Sequence, residues 1–188
     1  MTCQTLVCIG DSLVAGDERI VRKKIDFDAL SIPDLLSINA QTLHELRQRQ
    51  VIRSANKPVG DFAEYLFCKA FGWEMTGNSQ LGYDAKDSKG IRYQIKSRLL
   101  VNNNHSERQL SALRNLDRRH FDFIAGVLFL HDYSIYKAAL IPYQIIIDCN
   151  PYFTQHTNSH IFYLRDSVWE IPGVRDVTEE LKFTALNL

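Results

Sequence analysis

The stretch that decides the fold, GYDAKDSKGIRYQIKSR, runs from residue 82 to residue 98. Apolar and polar residues alternate along it, which predicts two antiparallel strands joined by a turn at residues 87–90. In the second strand, Gln94 and Lys96 are expected on one face and Ile95 on the other. A strand that serves only for packing does not need a glutamine and a lysine two residues apart on one face. The pattern therefore points to chemistry at this hairpin.

The composition favours one ordinary globular core. The chain has 188 residues, of which 45% are hydrophobic and 11% aromatic, and its formal net charge is zero. That length suits a single α/β domain with a small helical extension. A neutral chain is not a basic nucleic-acid coat, so a nucleic-acid surface has to be a local patch.

The cysteines and the apolar runs predict a cytoplasmic protein. No two cysteines form a CxxC pair, and their wide separation is typical of reduced, mostly buried thiols. No apolar run approaches the length that spans a bilayer, and the first residues lack the basic start and apolar centre of a secretory signal. We therefore expect no membrane partner. The four cysteines are Cys3, Cys8, Cys68 and Cys149.

Hydrophobic periodicity predicts helices and strands in an order that suits a mixed sheet flanked by helices. In the second helix, Asp61 is expected as the N-cap and Gly72 as the end. Residues 5–10 are predicted as a weak strand. Helices are predicted within 32–50, 60–72, 106–120, 142–148 and 177–183, and further strands within 121–130 and 134–142.

Oxygen ligands and an amine are predicted to meet at the hairpin. Hydrolysis of a phosphodiester uses a metal ion to hold a phosphate oxygen and to activate water. Mg²⁺ prefers oxygen ligands. Asp84 offers a carboxylate, Gln94 an amide oxygen and Ile95 a main-chain carbonyl, while Glu64 on the preceding helix adds a second carboxylate. Lys96 is placed to orient the attacking water or to neutralise charge that develops on the phosphate.

The order Glu64, Gly82-x-Asp84, Gln94-x-Lys96 resembles the PD-(D/E)xK nuclease superfamily. That resemblance implies a restriction-endonuclease-like α/β fold, with a central mixed sheet and flanking helices, in residues 58–188. Residues 1–57 would form an N-terminal arm and helix. It also implies a divalent cation, Mg²⁺ with Mn²⁺ as a substitute, and DNA cleavage. Two features depart from the pattern. Gln94 stands where an acid is usual, although a glutamine at this position occurs in some active members, and no proline precedes Asp84.

The function predicted from this resemblance is a metal-dependent endonuclease of the restriction, repair or mobile-element kind. Its catalytic residues are Glu64, Asp84, Gln94 and Lys96, and its metal ligands are Glu64, Asp84, Gln94 and the carbonyl of Ile95. Two sites are needed to cut two strands, so a homodimer is expected. The residues do not distinguish DNA from RNA. One alternative is a weakly active or inactive nucleic-acid-binding module with the same fold. A simpler explanation also stays open for each residue: a turn-forming Asp84, a solvated strand face and an ordinary helix surface.

Basic residues are concentrated around the hairpin and the segment that follows it, which predicts a local surface for phosphate contacts. Arg53 and Arg114 belong to the wider basic region, and a solvated helix face is an equally good explanation for Arg114. The residues predicted to contact nucleic acid are Asn78, Ser79, Lys86, Lys89, Arg92, Arg98, Asn103 and Arg108.

A second class of enzyme competes with the nuclease. IGDSLVAG, residues 9–16, resembles the opening block of GDSL-type esterases and would make Ser12 a nucleophile. Asp117 and His120 supply the D-x-x-H spacing of the acid and base in such a triad. However, that family carries this motif near its C-terminus, and no convincing block for an oxyanion hole is present. A turn after a strand is the preferred explanation for Ser12.

Overall fold

The computed structural model describes residues 25–54, 57–76, 82–100 and 108–188. The chain divides into two compact units, residues 1–40 and residues 41–188. The boundary expected after residue 57 falls inside the second unit. The strand predicted within residues 5–10 lies outside the described residues.

The helices begin and end close to where the periodicity predicts them. Gly72 ends the helix Val59–Phe71 in the left-handed conformation, with φ of 66°, as expected. Within the described ranges, no helix combines the length and the apolar character needed to cross a membrane. The α-helices are α1 (Ile32–Gln48), α2 (Val59–Phe71), α3 (Tyr143–Asp148) and α4 (Thr178–Leu186), and short 3₁₀ turns span Leu116–Arg118, Gln155–Thr157 and Asp166–Glu170.

A six-stranded sheet, in the order β1-β2-β3-β4-β5-β8, forms the centre of the second unit among the described residues. β3 and β4 are parallel, and the other neighbours in this sheet are antiparallel. β6 and β7 form a separate hairpin. The sheet is therefore mixed and flanked by helices, which confirms the predicted α/β class. The strands are β1 (Glu74–Met75), β2 (Ala85–Lys86), β3 (Arg92–Leu99), β4 (Phe123–Phe129), β5 (Ile135–Pro142), β6 (Tyr152–Thr154), β7 (Ser159–Ile161) and β8 (Arg175–Asp176).

The turn between β2 and β3 forms where the sequence predicts it. Gly90 donates its N–H to the carbonyl of Asp87 over 3.0 Å. The Asp87 carboxylate accepts the main-chain N–H groups of Lys89 and Ile91, both over 2.9 Å. Gly90 has φ of 80°, a backbone conformation that glycine adopts without steric cost. This turn sets the register that pairs Ala85 with Tyr93.

Alternation along β3 and β4 gives the sheet two buried faces with separate apolar cores. The Ile95 face carries Ile95, Ala125 and Val127, and the Lys96 face carries Lys96, Gly126 and Ile124. Leu66 and Phe67 of α2 and Leu181 of α4 belong to the core of the Ile95 face, whereas Leu110, Leu113 and Leu164 belong to that of the Lys96 face. Full burial of one leucine contributes roughly 1.5–3 kcal/mol. Both faces of β3 are thus fixed by packing.

The helix predicted within residues 106–120 is wrong for residues 108–115, and only a 3₁₀ turn at Leu116–Arg118 forms within its described part. Residues 108–115 pair in extended form with the β7 region, where Leu113 donates to the carbonyl of His160 over 2.9 Å and accepts from its N–H over 2.8 Å. Leu110, Leu113 and Leu116 are buried. Their spacing of three imitates a helical stripe, and pairing with β7 overrides the local preference.

The expectation of mostly buried thiols is wrong for Cys149. This residue is exposed at the end of α3, whereas Cys68 is half-buried in α2. Burial raises the pKa of the Cys68 thiol to about 11, so Cys68 stays protonated at neutral pH. Cys3 and Cys8 lie outside the described residues.

Candidate functional site

Asp84 directly precedes the first residue of β2, at the point where the edge of β3 that faces β2 loses its partner strand. Its main-chain N–H donates to the carbonyl of Tyr93 over 2.8 Å. Its carboxylate Oδ2 then accepts the main-chain N–H of Ile95 over 2.7 Å. A side chain therefore takes the ladder position that a further β2 residue would occupy. The N–H and C=O of one strand residue point to the same edge, so the Ile95 carbonyl faces this edge as well.

α2 brings Glu64 to the same edge. The Ser97 hydroxyl donates to the carbonyl of Val59 over 3.1 Å, which ties the first turn of α2 to β3. Apolar packing of α2 on the Ile95 face fixes the rest of the helix. Only 18% of the Glu64 side chain is exposed. The carboxylate is therefore partly desolvated.

The three charged groups Glu64, Asp84 and Lys96 influence one another. Burial, followed by the charge of Asp84, raises the pKa of Glu64 from its ordinary 4.5 to about 7. Burial also raises the pKa of Asp84, against the opposing effects of Lys96 and the Ile95 N–H. Burial lowers the pKa of Lys96, against the attraction of both carboxylates. The structure thus brings together the predicted carboxylates and the predicted amine, although two of them come from opposite ends of a hairpin.

Gln94 lies two residues from Lys96, on the same side of β3 by alternation. Its side-chain oxygen Oε1 is buried and has no hydrogen-bond partner among the described residues. An unsatisfied buried acceptor costs roughly 1–3 kcal/mol. An amide oxygen without a partner is a ligand that a hard cation accepts.

Neutral oxygens would have to complete any cation site here. Within the described ranges, no three side chains of histidine, cysteine, aspartate or glutamate come together. Glu64 and Asp84 supply two carboxylates, and Gln94 and the Ile95 carbonyl are the other predicted ligands. These are hard oxygen donors, which fit Mg²⁺ or Mn²⁺ better than they fit Zn²⁺.

Asp61 and Arg53 support Glu64, and the motif did not identify either. The N-cap prediction for Asp61 is wrong, because α2 begins at Val59 with Pro58 before it. The Asp61 carboxylate instead accepts the main-chain N–H groups of Arg53 and Ser54 over 2.7 and 2.8 Å. The guanidinium of Arg53 forms an ion pair with the Glu64 carboxylate. Asp61 and Glu64 are three residues apart on one helix, and that spacing is the one signal that the sequence carried.

Arg114 is a second neighbour of the site. It is exposed, and its charge contributes to the lowered pKa of Lys96. The adjacent Leu113 is buried and paired with His160, which fixes the backbone at this point. The basic composition of the segment predicted a phosphate-contacting surface, but the spacing did not single out Arg114.

The predicted nucleic-acid contacts separate into three groups. Lys89 and Arg98 are exposed on the turn and on β3. Lys86 pairs with Glu74 over 3.1 Å, at the edge of the sheet. The third group, Asn78, Ser79 and Asn103, lies outside the described residues.

Two predicted nucleic-acid contacts have structural partners. Arg92 donates through its Nε and Nη2 to the two oxygens of Asp122, each over 3.0 Å. Arg108 has only 2% of its side chain exposed, and its Nη1 pairs with Asp166 over 2.8 Å. Its Nη2 donates to the hydroxyl of Tyr136 over 3.1 Å. A buried guanidinium is not accessible to a phosphate backbone, which takes Arg108 out of the predicted surface.

The residues of the competing esterase motif are only partly described. Ser12 lies outside the described residues. Asp117 is exposed in a 3₁₀ turn, and His120 is half-buried. His120 packs so closely on Gly82 that a Cβ there would approach the histidine Cβ to 2.6 Å. The histidine therefore supports the approach to Asp84.

The geometry of the β3 edge is the basis for any functional assignment. No protein-family model and no curated protein matches this sequence. Glu64, Asp84 and Lys96 influence one another's pKa where β2 and β3 separate, and the orphaned amide oxygen of Gln94 belongs to the same strand as Lys96.

Proposed function

We propose that the protein is a divalent-metal-dependent phosphodiesterase with a restriction-endonuclease-like core. Its substrate is DNA, which it cleaves as an endonuclease of the restriction, repair or mobile-element kind, and it acts as a homodimer when both strands are cut. The supporting observation is that Glu64, Asp84 and Lys96 converge at the open edge of β3. Catalytic sites characteristically bring together charged groups whose pKa values are shifted by burial and by one another, and this cluster has that character.

The proposed cation is Mg²⁺, with Mn²⁺ as a substitute. Glu64, Asp84, the side-chain oxygen of Gln94 and the carbonyl of Ile95 would hold it. When bound, it would supply Lewis-acid polarisation of the scissile phosphate and lower the pKa of a bound water. Gln94 adds no charge, so two carboxylates have to balance the two positive charges of the cation. The orphaned Gln94 oxygen supports this assignment, because ligation would satisfy it.

Lys96 acts on the reacting phosphate in this proposal. Its ammonium is held in a desolvated position by the packed Lys96 face and by attraction to Asp84 and Glu64. A hydrogen-bond donor in a dry site stabilises developing negative charge more strongly than the same donor in water. Lys96 would therefore orient the attacking water or stabilise the charge that develops on the phosphate oxygens.

Exposed basic residues of the hairpin and of the segment that contains Arg114 would supply the binding surface. Lys89, Arg98 and Arg114 are exposed on the hairpin and on the segment before the first 3₁₀ turn. Because the whole chain is neutral, this local concentration of positive charge gives substrate binding that weakens with salt. Phosphate contacts of this kind position the substrate but do not read its bases.

The decisive experiment is cleavage of plasmid and short duplex DNA by purified protein with Mg²⁺, with Mn²⁺ or with chelator. Asp84→Ala and Lys96→Ala are each expected to abolish cleavage and to retain the circular dichroism spectrum and the cooperative unfolding of the parent. Lys182→Ala, which removes an exposed lysine of α4, is the matched control and should cleave normally. Cleavage of single-stranded RNA but not of DNA under the same conditions would show that the substrate is RNA and would contradict the proposed substrate.

Binding without cleavage would favour the inactive binding module instead. Wild-type protein that binds duplex DNA but cuts nothing with either cation contradicts the proposed activity. In that case Gln94 marks a site that has lost its acid.

A further inference from the structure

Arg53 occupies a position that a cation would compete for. Its guanidinium pairs with Glu64, one of the two carboxylates that the proposed function assigns to the metal. The pair lies at the rim of the site, since 44% of the Arg53 side chain is exposed against 18% for Glu64. The guanidinium can therefore reach solvent while the carboxylate stays in place.

The backbone of Arg53 is anchored independently of this ion pair. Asp61 accepts the N–H groups of both Arg53 and Ser54, one turn of α2 before Glu64. If the guanidinium leaves Glu64, these two hydrogen bonds still hold the main chain against the helix. The side chain is thus free to exchange one anionic partner for another while its attachment point stays fixed.

The charges of the cluster balance when Arg53 is counted, and the outer neighbours Asp61 and Arg114 add one charge of each sign. Glu64 and Asp84 carry two negative charges when ionised, and Lys96 and Arg53 carry two positive charges. A divalent cation added to this neutral set faces an unfavourable excess of positive charge. That excess falls if the guanidinium moves to a phosphate, which brings its own negative charge. Guanidinium groups bind phosphate in a bidentate manner, so the exchange conserves hydrogen bonds.

We propose that Arg53 holds Glu64 in the metal-free protein, and that cation binding releases its guanidinium to a phosphate of the nucleic-acid backbone. This inference rests on the proposed function. It makes Arg53 a positioning and substrate-binding residue that couples cation binding to nucleic-acid binding. By linkage, each of the two ligands strengthens the binding of the other by the same factor.

The test compares Arg53→Gln with Arg53→Lys and with a matched control. Arg175→Gln removes an arginine of β8 that forms an exposed ion pair with Glu180 of α4. β8 lies at the opposite edge of the sheet from β1 and β2. Mn²⁺ affinity is measured by electron paramagnetic resonance without DNA. Arg53→Gln should bind Mn²⁺ roughly tenfold more tightly than wild type, because the competing charge is gone. Arg53→Lys and Arg175→Gln should stay close to wild type.

A second measurement follows short duplex DNA by fluorescence anisotropy with and without Ca²⁺, with intact DNA verified on a gel. Wild type should bind DNA more tightly with Ca²⁺, and Arg53→Gln should lose most of that enhancement. Mn²⁺ affinity that is unchanged or weaker in Arg53→Gln overturns the inference. If Asp84→Asn abolishes Mn²⁺ binding while Arg53→Gln changes nothing, the proposed metal site stands and only the role of Arg53 is wrong. If wild-type protein binds no Mn²⁺ at all, the metal site and the role of Arg53 both fail.

Discussion

The Asp84 carboxylate accepts the main-chain N–H of Ile95 over 2.7 Å and thereby completes the β3 ladder with a side chain. This contact fixes the carboxylate at the point where the two strands separate. It also explains why the aspartate directly precedes Ala85, the first residue of the short strand β2, since only a residue at the strand end can turn its side chain into the ladder. One oxygen of Asp84 is therefore structural, while the carboxylate as a whole stays at the open edge.

Replacing Gln94 by glutamate tests the ligand set. Gln94→Glu introduces a negatively charged ligand at the proposed site, and it should raise Mg²⁺ affinity about tenfold, worth about 1.4 kcal/mol. Without metal, a third carboxylate beside Glu64 and Asp84 should lower the melting temperature, and Mg²⁺ should restore it. Isothermal titration calorimetry and thermal melts measure both effects. Gln94→Met, which removes the orphaned oxygen, is the control and should bind Mg²⁺ more weakly without losing stability. Equal Mg²⁺ affinity in all three proteins would exclude position 94 from the site.

The pH dependence of stability tests the environment of Glu64. Its pKa rises from 4.5 to about 7 on folding, so the folded state holds this proton more tightly than the unfolded chain does. The resulting stability is complete below pH 4.5 and is lost as the pH rises to about 7. The raised pKa of Asp84 acts in the same direction from a lower starting value. The free energy of unfolding in chelator should therefore fall by on the order of 2 kcal/mol between pH 5 and pH 8.

Urea unfolding at several pH values measures this change. Glu64→Gln should flatten the profile, because the titrating group is absent, and saturating Mn²⁺ should flatten it in wild type by favouring the ionised form. Glu45→Gln alters an exposed glutamate of α1 and should leave the profile unchanged. A profile that is as steep in Glu64→Gln as in wild type would assign the titration to another group.

Gly82 controls the entry of the chain into the site. Its φ is 76°, and a Cβ there would meet the side chain of His120 at 2.6 Å. Gly82→Ala should therefore lower the free energy of unfolding by more than the roughly 1–2 kcal/mol of a left-handed alanine. It should also weaken Mn²⁺ binding, because Asp84 is two residues away. Gly60→Ala is the control: it lies in α2 with open space around it and should raise stability by roughly 0.5–1 kcal/mol. If Gly82→Ala/His120→Ala restores full stability, the φ angle contributes nothing and the collision alone explains the defect.

The sequence predicts the elements that carry the site, because the residues of each element contain the periodicity and the turn or end residues that specify it. α2 has its helical stripe and its terminal glycine, and the hairpin has strict alternation with Asp87 and Gly90 at the turn. The long strands β4 and β5 were recognisable as apolar runs. The placement of Glu64, Asp84 and Lys96 then follows from helix and strand geometry.

Tertiary pairing explains what the sequence did not predict. Residues 108–115 carry leucines at a helical spacing, yet they pair with β7, which is too short to have a periodicity of its own. The sequence predicts Arg108 at the surface, but the fold buries it and pairs it with Asp166, which is distant in the chain. Arg53 likewise meets Glu64 only because Asp61 draws the connector onto α2. Each of these contacts joins separate segments and leaves no local signature.

The charged cluster comes from one continuous segment, residues 53–96, which includes Arg53, Asp61 and Lys96. β4 and β5 contribute apolar support to that segment and supply none of the charges of Arg53, Glu64, Asp84 and Lys96. The proposed ligands and their apolar support therefore come from separate parts of the chain. Under the proposed function, a substitution in β4 or β5 would alter the support of the site without changing any proposed ligand.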